Sequence, residues 1–187
     1  FDTRQVPLFI DGIPVYVPYD GNVDMGRFGI FDMAELSISK GYSPVIYGPN
    51  TLGGAINVVS RRPVQPEEFT ARAGVFSGEG IEGALRGGLL RDEGYAQAGM
   101  AYRERDHYRV SDDFDAVATE DGGRRENSDT RDVQVGAKAA WTPGDKGHEF
   151  AVGFVRQDSE KGVPAYAGTD TNTWPRYWRY TEWIKNS

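Results

Sequence analysis

Beyond Pro63 the chain repeats one pattern: short segments in which apolar residues alternate with polar or small ones at a period of two. Phe69, Ala71, Ala73 and Val75 alternate with Thr70, Arg72 and Gly74. Ile81, Leu85 and Leu89 alternate with Glu82, Ala84 and Arg86, and Ala96, Ala98, Met100 and Tyr102 with Gln97, Gly99 and Arg103. Val133, Val135, Ala137, Ala139 and Trp141 follow the same rule, as do Phe150, Val152 and Phe154. A sixth, weaker segment is expected over residues 176–184. Side chains of a strand point alternately to opposite faces, so each segment has one apolar face and one polar or small one. Such strands exclude a helical architecture for this half of the chain.

Each segment approaches the roughly 9 to 11 residues with which a tilted strand crosses a bilayer. No apolar run approaches the roughly 20 residues of a membrane-spanning helix, which leaves a membrane β-barrel open. The connections expected on one side are all tight, while on the other side the first, SGEG (77–80), is short and the next two are long. RDEG (91–94) and TPGDKG (142–147) are tight, whereas the runs from about 106 to 129 and from about 157 to 174 are long. Short turns at one end and long loops at the other are the pattern of outer-membrane barrels. A soluble antiparallel sandwich also alternates, its apolar faces meeting in a core, and alternation alone does not separate the two. Aromatics near segment ends (Tyr95, Tyr102, Trp141, Phe154) suit either an interfacial girdle or the cap of a core.

Composition narrows the function classes. Glycine (24 residues) and aromatics (12%) are plentiful, and both favour strands and turns over helices. A net charge of −7 opposes nucleic acid as a partner, which requires a basic face. Without cysteine there are no disulfides or thiolate metal sites. The two histidines, His107 and His148, leave little for metal or acid–base work and are expected at a strand end and a turn. The chain opens at Phe1 with no signal peptide and stops within an aromatic-rich stretch, so it is expected to be a piece of a longer or processed protein.

The first part is more apolar and turn-rich. Residues 5–10 read as a strand, Asp11-Gly12 as a hairpin turn and residues 13–17 as the returning strand, because Asp-Gly between apolar runs is a strong hairpin signal. Residues 18–29 read as a loop. Residues 31–35 are ambiguous and fit one helical turn before a strand over 36–39. Residues 44–54 hold tight turns, and 55–60 (AINVVS) form a short buried strand.

Two stretches resemble a known family. Residues 6–12, VPLFIDG, and residues 36–63, LSISKGYSPVIYGPNTLGGAINVVSRRP, resemble the C-terminal half of the plug domain of TonB-dependent outer-membrane receptors. The signature positions are Asp11, Gly12, Lys40, Gly41, Tyr47, Gly48, Gly53, Gly54 and Asn57, with Leu52 and Ile56 also agreeing. The family's Arg-Gly-Pro is Lys40-Gly41-Tyr42 here, which keeps the positive charge but loses the planar fork of arginine.

The resemblance implies a fold that is mainly β: a partial plug domain (a small mixed α/β sheet, residues 1–63), then antiparallel strands of a transmembrane β-barrel (64–187, about its first six strands). It implies a barrel of about 22 strands closed by the plug. It implies an outer-membrane receptor of a Gram-negative bacterium that imports a scarce ligand, foremost a ferric siderophore, with energy from TonB on the periplasmic side. Haem, cobalamin, nickel chelates and oligosaccharides stay open as ligands. Outer-membrane lipid is the other expected partner, and no cofactor, metal or catalytic residue is implied. The loop after the hairpin nominates Tyr16, Tyr19, Asp20, Asn22 and Arg27 as ligand contacts. Lys40, Arg61 and Arg62 are candidates for a polar interface between plug and barrel. A passive porin or adhesin barrel, or a soluble β-sandwich binding module, would lack the signature over residues 4–63.

Other chemistry finds little support. Neither a Walker pattern nor GxGxxG is present to cradle phosphate. Residues 112–121 (DDFDAVATED) are dense in oxygen ligands but lack the glycine of an EF-hand loop, and are expected as a solvated acidic loop. No Ser-His-Asp or paired-carboxylate constellation stands out.

Overall fold

The computed structural model describes residues 6–15, 28–29, 31–41, 47–48, 51, 53–117, 120–144, 147–162, 164 and 179–182. The chain divides into two compact units, Phe1–Arg62 and Pro63–Ser187.

The first unit is a four-stranded sheet built from β1 (Leu8–Ile10), β2 (Ile13–Val15), β3 (Met33–Lys40) and β4 (Gly54–Ser60), in the order β2-β1-β4-β3. Asp11 and Gly12 both have positive φ (50° and 79°), and Ile10 faces Ile13 across them. This is the two-residue hairpin turn whose twist matches the strands, and it needs left-handed backbone at both positions. β1 also pairs in parallel with β4, Phe9 opposite Asn57. The central position of β1 explains why neighbouring Leu8 and Phe9, which point to opposite faces, are both buried. The ring of Tyr47 lies 4.9 Å from that of Phe9, tilted by 51°.

One expectation for this unit is corrected. Residues 31–35 do not form a helical turn: 31 and 32 make a turn and the strand begins at Met33, with a bulge between Met33 and Glu35. A single turn of helix carries a nucleation cost for few hydrogen bonds, whereas β4 offers a full ladder from Met33↔Ser60 to Lys40↔Gly54. Among the described residues there is no α-helix. At the far end of that ladder Gly54 has φ +124°, and a Cβ on it would overlap the Ser39 carbonyl oxygen. Only glycine fits that approach.

The second unit is a six-stranded antiparallel meander: β5 (Glu67–Phe76), β6 (Gly80–Arg91), β7 (Gly94–Arg105), β8 (Thr130–Trp141), β9 (Phe150–Gly162) and β10 (Arg179–Glu182). The strands outrun the alternating cores that mark them in the sequence. β9 does so most: Gln157, expected to open a loop, lies within a strand that runs to Gly162. Asp132 on β8 explains the extension, since its carboxylate accepts Gln157 Nε2 at 2.6 Å and the Ser159 hydroxyl.

The register sorts side chains into two faces. One row across the sheet reads Phe69, Gly87, Ala98, Ala137, Phe154, and the next Ala71, Leu85, Met100, Val135, ending on Arg156 of the last full strand. Phe69 and Val152 are each 72% exposed, and Leu85 and Met100 nearly half. No second sheet covers this apolar face among the described residues. The opposite face carries Glu82 beside Arg103 at 3.8 Å and Asp132 with its two partners. An apolar face left open and a polar face opposite it is the inverse of a soluble sandwich, whose apolar faces meet. At the end with the short turns, Trp141 and Phe150 face each other on the apolar side, ring centroids 6.0 Å apart. Tyr95 does not join them: its register places it with Gln97 on the polar face, where it is buried.

Candidate functional site

In the first unit the family signature becomes a set of contacts around the hairpin turn. The Asp11 carboxylate accepts the Ser60 backbone N–H at 2.8 Å and the Ser60 hydroxyl at 2.6 Å. The Asp11 N–H donates to the Val58 carbonyl at 2.9 Å. Asn57 Oδ1 accepts the Gly12 N–H at 3.0 Å. A two-residue hairpin is marginal by itself, and these four bonds fasten its turn to the end of β4. Asn57 thus has the backbone partner that its amide, placed in a strand, calls for. Tyr47 packs on Phe9, and Gly41 and Gly48 hold positive φ (73° and 72°) at the turns flanking the gap between β3 and β4. Gly53 precedes β4 in a turn. Asp11, Gly12 and Asn57 of the signature thus close the fold around the hairpin turn.

Lys40, Arg61 and Arg62 are exposed, and the Arg61 N–H donates to the Asp32 carbonyl at 2.8 Å. The five candidate ligand contacts, Tyr16, Tyr19, Asp20, Asn22 and Arg27, lie outside the described residues.

The second unit holds polar sites that sequence reasoning missed. The long loop between β7 and β8 is folded. Tyr108 and Arg125 are joined by Arg125 N–H to Tyr108 O at 2.7 Å, and Val110 N–H donates to Gly123 O at 2.9 Å. Ser128 Oγ accepts the Tyr108 N–H at 2.9 Å and donates to Arg125 O at 2.6 Å. Asp112, Asp113, Asp115 and Asp121 are exposed, as a solvated acidic loop requires, but Glu120 is not. It is 1% exposed and paired with Arg125 at 2.6 Å, its Oε2 also receiving the Glu126 N–H at 3.3 Å. Nothing in the local sequence separates Glu120 from its acidic neighbours, because its burial depends on how the loop closes.

At the base of this loop, Glu79, Asp106 and His107 each offer a ligand atom within 4.8 Å of the others. His107, expected at a strand end, lies two residues past the end of β7 and is buried, with Nδ1 3.2 Å from Asp106 Oδ2. The Arg124 guanidinium bridges Glu79 and Asp106. The exposed Arg124 cation stands between the two carboxylates and ties the β5–β6 turn to the long loop.

The comparisons with known proteins bear on both units. Residues 1–55 match the model of the TonB-dependent Receptor Plug Domain. The copper transporter OprC aligns with 87% of this chain at a TM-score of 0.70 and 15% identity, over 24% of its own length. The FrpB iron transporter of Neisseria meningitidis aligns with 84% at a TM-score of 0.71 and 14% identity, over 24% of its length. The ferric citrate transporter FecA aligns with 87% at a TM-score of 0.58 and 24% identity, over 23% of its length. The chain thus spans about a quarter of each of these proteins. Residues 1–55 therefore match a TonB-dependent receptor plug, and the chain as a whole shares the fold of these transporters over about a quarter of their length.

Proposed function

We propose that this chain is part of an outer-membrane receptor of a Gram-negative bacterium that imports a scarce ligand, a ferric siderophore, with energy delivered by TonB from the periplasm. Residues 1–63 are the C-terminal half of its plug and 64–187 about the first six strands of its barrel. The observation that carries this reading is the pairing of a plug-type unit with a sheet whose apolar face is open and whose opposite face is polar. A porin or adhesin has no use for the first, and a soluble sandwich would bury the second. We assign the chain no catalysis and no cofactor.

The apolar face meets lipid and the polar face lines the lumen around the plug. Lys40, Arg61 and Arg62 supply positive charge for pairing with barrel carboxylates, in ion pairs that reach water and are each worth only about 0–1 kcal/mol. Such pairs exchange readily when TonB pulls. The loop carrying Tyr16, Tyr19, Asp20, Asn22 and Arg27 contacts the ligand at the plug apex. FrpB and FecA are named for iron and ferric citrate and OprC for copper, which sets the first ligands to try.

The deciding experiment is growth of a strain lacking the receptor under iron starvation, with ferric chelates supplied one at a time and a copper-limited arm alongside. Loss of growth on one ferric chelate, restored by the intact gene and not by a copy without its TonB-contacting segment, is the expected result. Equal growth of mutant and parent on every ferric chelate removes the siderophore reading. Restoration by the segment-deleted copy removes energised import.

A further inference from the structure

The connection that leads into β5 is fastened to the sheet it enters. Pro63 is buried, and its ring lies against Gly88 of β6 so closely that a Cβ on Gly88 would come within 2.8 Å of Pro63 Cγ. The next residue, Val64, donates its N–H to Glu68 Oε2 at 3.0 Å. The other oxygen of Glu68 accepts Arg86 Nη1 at 2.8 Å, and Arg86 Nη2 donates to Gln97 Oε1 at 3.2 Å. Pro66 O closes the segment, accepting Leu90 N–H at 3.1 Å and Arg91 Nη1 at 2.8 Å.

Glu68, Arg86 and Gln97 stand on three successive strands, all on the polar face. Arg86 is 5% and Gln97 7% exposed, unlike the open ion pairs elsewhere on that face. A buried arginine is costly unless its charge and N–H groups are met, and removing one partner of a buried pair is strongly destabilising. The cluster is therefore stiff, and Glu68 passes that stiffness to the backbone at Val64. Proline at 63 adds a fixed φ.

We propose that residues 63–66 are a built anchor, with Glu68, Arg86, Gln97 and Gly88 as its positioning residues. It fixes where the chain of the preceding unit enters the barrel sheet, so that any displacement of that unit ends at Arg62. The last clause rests on the importer reading; the anchor itself does not. The surface-accessible pairs of the polar face can exchange, whereas this one holds.

The test uses the full-length receptor in lipid nanodiscs, with spin labels at Val64→Cys and Asp92→Cys, both exposed positions at the same end of the sheet. Other cysteines are removed. Pulsed-EPR distances from 64 to 92 are expected to be narrow, and to stay so when the periplasmic domain of TonB is added. The double variant Glu68→Leu/Arg86→Met removes both charges together, and Gly88→Val displaces the proline ring; each is expected to broaden the distribution at least twofold. A broad distribution in the parent overturns the anchor, and so does an unchanged one in both variants once heat-modifiable gel mobility shows their barrels folded. A second label pair, Arg62→Cys with Asp92→Cys, reports on the importer reading separately. If it is indifferent to TonB while the 64–92 distance is narrow and variant-sensitive, the anchor stands and the pulling step falls.

Discussion

The backbone N–H of Gly12 donates to Asn57 Oδ1 at 3.0 Å, joining a hairpin turn to a strand 45 residues further along the chain. The bond turns a local feature into a tertiary one. Asp-Gly makes the turn, and the amide of Asn57 with the hydroxyl and N–H of Ser60 holds it against β4. Replacing Asn57 with Leu leaves the Gly12 N–H without this partner and is expected to cost about 1 kcal/mol. Hydrogen exchange at Gly12 in the full-length receptor should speed up several-fold, with exchange in the barrel strands unchanged. Unchanged exchange at Gly12 would show that the turn does not depend on this bond.

The two faces of the second unit predict opposite responses to the same substitution. Ala137 stands between Ala98 and Phe154 in the apolar row. Lysine there is expected to destabilise the barrel by about 2–4 kcal/mol, as a charge near the bilayer midplane does. Gln134→Lys, on the polar face between Ala101 and Gln157, should change stability little. Urea unfolding of the full-length barrel in vesicles compares the two, and equal losses would contradict the assignment of faces.

The Glu120–Arg125 pair predicts a local effect. Arg125→Ala leaves a carboxylate that is 1% exposed without its cation, at a cost of about 3–5 kcal/mol. That energy holds the long loop, not the strands. Limited proteolysis should then cut within residues 106–129 at least tenfold faster while the strands stay resistant. Cleavage at the parental rate would mean that the loop is held by other contacts.

The chain by itself is expected to aggregate in water. Among the described residues its six-stranded sheet ends in unpaired edges at β5 and β10, and its apolar face carries Phe69, Leu85, Met100, Val152 and Phe154 in the open. Light scattering of the refolded 187-residue chain should report large particles in buffer and small ones in detergent. A monodisperse monomer in plain buffer would refute this.

The ambiguity over residues 31–35 shows where local reading ends. Phe31-Asp32-Met33-Ala34-Glu35 suits a helical turn as well as a strand, and the ladder along β4 settles it. Gln157 is similar: nothing near it marks a strand, and its partner Asp132 lies 25 residues away. By contrast the Asp11-Gly12 turn and the alternating segments were legible, because turn chemistry and period-two alternation act between neighbours.

What the amino-acid order determined is thus the local periodicity, the hairpin, the glycines and hence two faces on each strand. What only the tertiary structure decided is which polar residues leave water: Glu68, Arg86 and Gln97 in one place, Glu120 and Arg125 in another. The reason is physical. Alternation is carried by each residue and its neighbours, whereas burial of a charge depends on partners that strand register and loop closure bring from far along the chain.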